Sequence, residues 1–387
     1  MKLAVTVLVF CVAALLALGM VMLYSSSMVQ VGSRYLVMQM IWCVLGLVSA
    51  VTIAFVDYRF LKRIWWILLG LALVLLVLVL VPHIGVVRGH ARRWFSLGPA
   101  SFQPSEFAKV AVLIALAWYG ERYRRQMPNW KTGIVIPGVV IVVAAGLIFK
   151  EPDVGNALLL ASVCGIVLLI AGIRLRYFLP PVLIAATGVA VFIAHNPMRS
   201  DRIYSWLHVE ETKQDKGMQA YQAMVALGSG GVTGKGLGDG RQKLGFVPEH
   251  HTDFIFSIIG EELGLVATML VVAAFVAFVI SGLFISVNAA DTFGLLLGSG
   301  ITFLIGLQAF INIGVVTSAL PNKGLPLPFI SYGGSNLLVM LTCVGILLSI
   351  ARHARLSDSK ANRSTDPEES SLFRPQRNPF KHPRYST

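Results

Sequence analysis

Long, uninterrupted apolar runs limit what this chain can fold into more than any other feature of its sequence. A helix rises about 1.5 Å per residue and needs about 17–25 apolar residues to cross roughly 30 Å of hydrocarbon. Because the hydrocarbon core cannot satisfy open backbone groups, such runs predict an all-α integral membrane protein, a polytopic bundle of about ten transmembrane helices. The ten runs lie at about 3–24, 36–56, 61–81, 104–120, 133–149, 155–172, 177–195, 253–281, 291–317 and 329–352.

The composition agrees with a membrane protein. Of the 387 residues, 56% are hydrophobic and 13% are charged, and the mean hydropathy of +0.74 lies outside the range of soluble domains. The runs lack the alternation typical of barrel strands. The first run is too long for the apolar region of a signal peptide, so we expect it to stay attached. All four cysteines lie in predicted spans at no metal-like spacing, which favours simple packing.

The distribution of Lys and Arg predicts the orientation, since short cytoplasmic loops carry an excess of these residues. One face collects the N-terminus, the loops after spans two, four and six, and the C-terminal segment. We therefore predict that residues 1–352 form a membrane domain with both termini cytoplasmic. Residues 353–387, rich in Ser, Pro, Asn and charge, are predicted to be a disordered basic cytoplasmic tail near anionic lipids.

The large outer loop between spans seven and eight, about residues 196–252, is too long to be without structure of its own. Residues 218–227 are typical of a short amphipathic helix at the membrane interface. The glycine run at 228–240 resembles a phosphate loop, but Ser229 and Gly236 stand where a Walker sequence requires Gly and then Ser or Thr. Close backbone approach or a mobile entrance is the better interpretation.

Polar residues are most concentrated at 236–264, where glycines, basic residues, two histidines and five carboxylates lead into an apolar span. Asp253, at the start of span eight, is predicted to be the centre of a site. The alternative is a plain helix cap, because an acid at a helix N-terminus is stabilised by about 0.3–1 kcal/mol. Glu261 lies two turns further along, about 12 Å away on roughly the same face, and either orients the site or has a structural role.

Basic residues on the outer face run against the positive-inside bias. Arg88, Arg92 and Arg93 lie between spans three and four and indicate an anionic partner, lipid phosphates being the alternative. Lys109 lies one turn into span four, where a lysine is costly unless it pairs or reaches the interface, and is a second candidate site residue. The Pro- and Gly-rich segment 319–336 is predicted to line the same outer cavity as irregular backbone.

A set of motifs follows in a fixed order along the chain. They are RW at 93–94, FQPSEFAK at 102–109, EPDVG at 151–155, FVPEHHTDFIF at 246–256, NIG at 312–314 and PLPFISYGGS at 326–335. In this order and among ten spans, they closely resemble the SEDS family of polytopic peptidoglycan polymerases, which includes RodA and FtsW. Residues 242–244 and 260–264 resemble the division member, FtsW, more than the elongation member. Val247 stands where the family usually has leucine.

The resemblance implies a peptidoglycan glycosyltransferase of the bacterial cytoplasmic membrane at the division septum. Such an enzyme joins lipid II units on the outer face and releases undecaprenyl diphosphate. The resemblance implies that Asp253 is essential and that Arg93 and Lys109 belong to its charged cavity. It also implies a class B penicillin-binding protein, a transpeptidase, as partner, with other divisome proteins and membrane lipids, and no nucleic acid. Further substrate-binding candidates are Arg88, Arg92, Glu249, His251 and Ser331.

The chemistry of these residues suits glycosyl transfer. A base must take the proton from the attacking hydroxyl, and cations must hold the charge of the leaving group. Since a diphosphate leaves as a stable anion, Asp253 with Lys109 and Arg93 suffices. Asp253 is intrinsically a weak base, so it needs help either from a Mg²⁺ or Mn²⁺ ion bridging it and the diphosphate or from a low-dielectric setting. A flippase for the lipid-linked precursor and a non-catalytic division scaffold are the alternative functions.

Overall fold

Each of the ten predicted spans contains a long helix in a computed structural model of the chain, which describes residues 1–27, 32–88, 91–98, 100–215, 217–241 and 252–365. All helices except the eighth and ninth coincide with predicted spans. The described residues form α1 (Lys2–Ser27), α2 (Arg34–Phe55), α3 (Leu61–Leu80), α4 (Pro104–Arg122), α5 (Ile136–Lys150), α6 (Val154–Ile170), α7 (Leu175–Ala194), α8 (Pro197–Leu207), α9 (Met218–Ser229), α10 (Ile255–Val287), α11 (Thr292–Val316) and α12 (Gly334–Thr365).

Length and apolar composition confirm a multi-pass membrane protein. Within the described residues, eight helical stretches are long and apolar enough to cross a membrane. Two helices that coincide with predicted spans are not among these eight: α6, which has only 17 residues, and α4, which carries Glu106 in its first turn and Arg122 in its last. Crossing by all ten segments stays a prediction.

The buried core is centred on α4, α11 and α12, most of whose side chains are enclosed by other helices. By contrast, α7 contains no fully buried residue and lies at the periphery. This arrangement places the polar side chains of the three central helices in the interior, where they require partners from one another.

A small antiparallel sheet adds to the predicted all-α fold. It consists of β1 (Val86–Arg88), β2 (Ala91–Leu97) and β3 (Ala100–Phe102), in the order β1-β2-β3. Val87 pairs with Arg92, and Ser96 pairs with Ser101. Strands of three to seven residues leave little signal beside long apolar runs, so the sequence did not predict them. The sheet fixes the positions of Arg92 and Arg93 between α3 and α4.

The large outer loop has structure of its own, as predicted. The helix expected at 218–227 is α9, whereas α8 was not anticipated. Both helices attach to the irregular segment that follows α11: Trp206 of α8 donates to the Ser318 carbonyl at 2.8 Å, and Asn322 donates to Gln219 of α9 at 2.9 Å. The loop is therefore fastened to the segment 317–333.

The span predicted at 253–281 is a broken helix. Gly264 has φ 77° and ψ −172°, a conformation that favours glycine, and it divides α10 into a short outer part and a long inner part. A break at this position leaves the carbonyls of Glu261 and Glu262 and the N–H groups of Leu265 and Val266 without their helical partners.

The glycine run satisfies those four groups. Lys235 N–H donates to the Glu261 carbonyl and Gly236 N–H to the Glu262 carbonyl, both at 3.0 Å. Leu265 N–H donates to the Gly231 carbonyl at 3.0 Å, and Val266 N–H donates to the carbonyl of residue 232 at 3.3 Å. Of the two interpretations of the glycine run, close backbone approach is confirmed. The mobile entrance stays a prediction.

The C-terminal segment also departs from expectation. The prediction placed a disordered tail at 353–387, but α12 continues to Thr365. Residues 366–387 lie outside the described residues, so the division into a membrane domain and a tail stays a prediction.

Candidate active site

Asp253 lies in the turn that leads into α10 and is half-buried. Asn312 of α11 donates from Nδ2 to the Asp253 carbonyl at 2.8 Å. The carboxylate lies against Gly324, because a Cβ placed on that glycine would be 2.7 Å from Asp253 Oδ2. Any larger residue at position 324 would displace the carboxylate. Asp253 is thus seated between the end of α11 and the segment 317–333.

Side chains of the neighbouring helices hold the segment 317–333 in its irregular path. Asn312 donates to the Leu325 carbonyl at 2.7 Å, and Gln308 donates to the Pro326 carbonyl at 2.9 Å. Gln39 of α2 donates to the Ser331 carbonyl at 3.1 Å. The segment is irregular, as predicted, and Leu325 and residues 327–331 are buried, where carbonyls need such donors. That the segment lines an outer cavity stays a prediction.

Ser331, a predicted substrate-binding residue, makes a side-chain hydrogen bond within its own segment. Its hydroxyl accepts a hydrogen bond from the Leu327 N–H at 2.8 Å, and the residue is buried. This arrangement favours a role in shaping the segment, and a direct contact with substrate stays a prediction.

Lys109 is completely buried, with an exposed fraction of 0%. Its ammonium group donates to Glu106 at 3.0 Å, to Asn156 at 3.0 Å and to Gln308 at 3.3 Å. The expected pairing is therefore confirmed. Since an ammonium group has three donors and all are engaged within the protein, the structure favours Lys109 as a support behind the site, and substrate binding by Lys109 stays a prediction.

Glu106 extends this buried network to α12, since its second oxygen accepts from Asn336 Nδ2 at 2.7 Å. The network thus joins α4, α6, α11 and α12. Through Gln308 it also touches the segment 317–333. Its position links the packing of the central helices to the backbone beside Asp253.

Arg93 of β2 connects the sheet to the turn between α5 and α6. Its guanidinium donates to the carbonyls of Glu151 and Pro152, both at 2.8 Å, and lies 3.6 Å from the Asp153 carboxylate. The side chain is 23% exposed. Arg93 thus pairs with Asp153 across two segments of the chain, and its remaining exposure leaves it available to an outer ligand.

Glu151 is buried, and within the described residues neither of its carboxylate oxygens has a hydrogen-bond partner. Burial, reinforced by the charge of Asp153, raises the pKa of Glu151 to about 9, although Arg93 opposes the shift. Glu151 is therefore neutral at pH 7.

The structure says less about the four remaining residues that were predicted to bind substrate. Arg92 donates from Nη1 to the Leu80 carbonyl at 3.1 Å, which anchors the sheet to α3. The side chain of Arg88 lies outside the described residues, as do Glu249 and His251. Their predicted roles in substrate binding stay predictions.

Lys323 and two arginines of α8 form a cationic cluster that the sequence analysis missed. Lys323 directly precedes Gly324, and burial together with the charge of Arg199 lowers its pKa. Arg199 lies 4.4 Å from the ring centre of Phe192. Burial, then the charges of Arg202 and Arg93, lower the pKa of Arg199. The charges of Lys323 and Arg199 therefore repel each other, and Lys323 is next in sequence to Gly324, which lies against the Asp253 carboxylate. Cations held close together in this way indicate a site that receives an anion.

A signal for this cluster exists in the sequence. Arg199 and Arg202 lie in the outer loop, where positive charge runs against the bias used to detect Arg93, and Lys323 lies in a segment already predicted to line the cavity. The positive-inside bias alone therefore marks all three as candidates on the outer face.

The described residues do not assemble a metal site from protein groups alone: in those ranges no three His, Cys, Asp or Glu side chains converge. A Mg²⁺ ion usually binds through one or two carboxylates together with substrate phosphates. Asp253 fits that donor set, and the predicted divalent cation stays a prediction.

Comparison with known proteins identifies the family. The sequence pattern of the FtsW/RodA/SpoVE family, described as cell cycle proteins, matches residues 6–356. The chain belongs to this family. The probable peptidoglycan glycosyltransferase FtsW of Trichlorobacter lovleyi is 40% identical over 358 residues, covering 91% of this chain and 94% of that protein. Stage V sporulation protein E of Bacillus subtilis is 37% identical, covering 88% and 95%.

Solved structures of the FtsW/RodA/SpoVE family share the fold. One chain of a peptidoglycan synthase complex, solved to explain the coordination of polymerization and crosslinking, has a TM-score of 0.76 and 30% identity, covering 90% of this chain and 97% of that one. The rod shape determining protein RodA of Thermus thermophilus has a TM-score of 0.67 and 28% identity, covering 90% and 96%. The resemblance inferred from the motifs is confirmed, including the greater similarity to FtsW.

Proposed function

We propose that this chain is a peptidoglycan glycosyltransferase that polymerises lipid II-type, undecaprenyl diphosphate-linked substrates on the outer face of the bacterial cytoplasmic membrane, in septal wall synthesis. The observation that carries the proposal is the position of Asp253. This residue lies just before α10, and its carboxylate lies against Gly324. Lys323, the nearest residue of the cationic cluster along the chain, precedes that glycine. Relatives named probable peptidoglycan glycosyltransferase FtsW support the assignment.

Asp253 is the proposed general base. Its backbone is fixed by Asn312, and the residue is only half-buried, which suits contact with a sugar hydroxyl. A fixed base that accepts the hydroxyl proton as the glycosidic bond forms contributes about 10²–10⁴-fold to the rate.

The cationic cluster is proposed to bind the diphosphate of the lipid-linked substrate. Lys323 and Arg199 of this cluster, together with Arg93 of β2, supply positive charge where negative charge grows as the bond to the sugar breaks. The diphosphate leaves as a stable anion and needs no proton, so a second catalytic carboxylate is unnecessary. A divalent cation, when bound to Asp253, would neutralise further charge on the diphosphate.

The placement in the cell and the partners are part of the same proposal. Both termini are assigned to the cytoplasm from the distribution of Lys and Arg, and the protein is assigned to the inner membrane at the division septum. A related chain comes from a complex that coordinates polymerization and crosslinking. This supports a class B penicillin-binding protein, a transpeptidase, as partner, together with other divisome proteins.

The direct test is glycan synthesis by the purified protein. The chain, with and without its penicillin-binding partner, is incubated with lipid II and Mg²⁺ or Mn²⁺, and glycan strands are separated by electrophoresis. Asp253→Asn should abolish polymer formation, because it removes the base but keeps the size of the side chain. Asp239→Asn is the matched control, since Asp239 is an exposed carboxylate of the same loop.

The outcomes separate the competing functions. Polymer from the parent and from Asp239→Asn, but not from Asp253→Asn, supports the glycosyltransferase. Equal synthesis by Asp253→Asn overturns the assignment of the base. If the parent makes no polymer even with its partner, the flippase alternative is tested by measuring transport of lipid II across the membrane of proteoliposomes. If no transport is seen either, the non-catalytic division scaffold is the remaining function.

A further inference from the structure

Asn312 makes an unusual pair of contacts for a residue that is 1% exposed. From α11, its Nδ2 donates one hydrogen bond to the Asp253 carbonyl at 2.8 Å and another to the Leu325 carbonyl at 2.7 Å. These two carbonyls belong to segments separated by about seventy residues of sequence. One amide group therefore joins the main chains on either side of the candidate active site.

The positions that Asn312 joins are those that determine the geometry of the site. Asp253 carries the carboxylate, and Leu325 directly follows Gly324, the residue against which that carboxylate lies. Lys323 precedes the same glycine. Because both amide hydrogens are used, a shift of the Asn312 side chain would change the separation between Asp253 and the segment that carries Lys323.

The neighbouring turn of α11 shows what distinguishes Asn312. Gln308, four residues earlier and on the same helical face, also supports the segment by donating to the Pro326 carbonyl at 2.9 Å. Its oxygen accepts from Lys109, whereas the Asn312 oxygen is buried with no hydrogen-bond partner in the described part of the chain. An unsatisfied buried acceptor costs free energy, so Asn312 is poorly explained as a residue that only stabilises packing.

We propose that Asn312 is a positioning residue for glycosyl transfer: it holds Asp253 against Gly324 and so fixes the base relative to the segment that carries Lys323. The inference rests on the proposed function, because it assigns Asn312 a role in the step for which Asp253 is the base. Asn312 itself does not contact the substrate.

Asn312→Asp tests the proposal because it keeps the shape of the side chain and replaces the double donor with an acceptor facing two carbonyls. With lipid II as substrate, kcat should fall at least about tenfold while KM stays within about threefold, since alignment and not binding is lost. The matched control is Asn288→Asp, because Asn288 also donates to one backbone carbonyl, that of Phe284 at 2.8 Å, but at the opposite end of α10. Its kcat should be unchanged.

A double-mutant cycle with Gly324→Ala separates positioning from general stability. The new Cβ would lie 2.7 Å from Asp253 Oδ2 in the present arrangement, so this substitution disturbs the same contact. The double variant should therefore be about as slow as the slower single variant. Rate losses that multiply would overturn the proposal, as would a wild-type kcat in Asn312→Asp or a loss confined to KM.

Hydrogen exchange provides a readout that does not depend on activity. In Asn312→Asp, amides of residues 252–256 and 323–327 should exchange faster together, whereas Asn288→Asp should alter neither segment. Unchanged exchange in both segments would overturn the proposal. If the parent makes no polymer but the exchange result holds, the proposed function has failed and the structural coupling stands. Should Asn312→Asp not fold, Asn312→Ser, whose hydroxyl is too short to bridge both carbonyls, replaces it in both measurements.

Discussion

Ser25, at the end of α1, donates its hydroxyl to the buried carboxylate of Glu262, with separations of 2.9 and 2.7 Å to the two oxygens. The same carboxylate accepts from the Gly238 N–H at 3.1 Å. Glu262 thus joins the first helix, the glycine run and the broken helix α10 at the level of the break. Buried carboxylates need such donors, because an unpaired charge in the interior is costly.

Ser25→Ala should lower the free energy of unfolding by about 1.5–3 kcal/mol, the range for a lost hydrogen bond to a charged group. Thermal unfolding of the purified protein in detergent measures the change. Ser27→Ala is the control, since that buried hydroxyl only donates to the Leu23 carbonyl of its own helix at 2.7 Å. An equal decrease in the free energy of unfolding of both variants would show that the hydrogen bond to Glu262 adds no more stability than the one within α1.

The break in α10 shows where sequence analysis succeeds and where it stops. Apolar length located the helix, because the bilayer requires a run of that kind. Gly264 carried no signal by itself, since an isolated glycine is common in membrane helices. The break is possible only because residues 231–236, some thirty positions upstream, supply the missing hydrogen bonds. Such a long-range partnership cannot be recognised from a local pattern.

In the candidate site, too, local features could be predicted from the sequence and long-range contacts could not. Asp253 was identified because its motif and its position at a helix start are both local features. The environment of Lys109 was only partly predicted: a buried lysine requires partners, but the identity of Asn156 and Gln308 depends on how α4, α6 and α11 pack. Lys323 was overlooked because a lysine in a loop ordinarily faces water, and its burial is a tertiary property.

Glu151 should make stability depend on pH. Its pKa is raised from 4.5 to about 9 in the folded protein, so between these values the folded state binds the extra proton. The contribution of Glu151 to stability is therefore fully present below pH 4.5, declines as the pH rises, and is lost above about pH 9. In Glu151→Gln this decline should be smaller, so its melting temperature should exceed that of the parent by a margin that widens from pH 5 to pH 9. A constant difference across that range would contradict the assignment of a neutral Glu151.

Lys323→Gln should reduce glycan synthesis at least about tenfold, which corresponds to about 1.4 kcal/mol of lost transition-state stabilisation. The reason is the loss of fixed positive charge beside the diphosphate. Lys323→Arg should retain part of the activity because it keeps the charge. Lys213→Gln is the control, since Lys213 is an exposed lysine of the outer loop. Activity of Lys323→Gln equal to that of Lys213→Gln would remove Lys323 from the site.

Lys109→Met should destabilise the protein by about 3–5 kcal/mol, because it leaves the Glu106 carboxylate buried without its ammonium partner. The double variant Glu106→Gln/Lys109→Met removes both charges and should recover most of the lost melting temperature. If Lys109 stabilises the packing beside the site without contacting substrate, the KM of the double variant for lipid II should be close to that of the parent. Recovery of stability with a large rise in KM would instead identify Lys109 as a substrate ligand. The structure favours the first result, since all three ammonium donors already have acceptors within the protein.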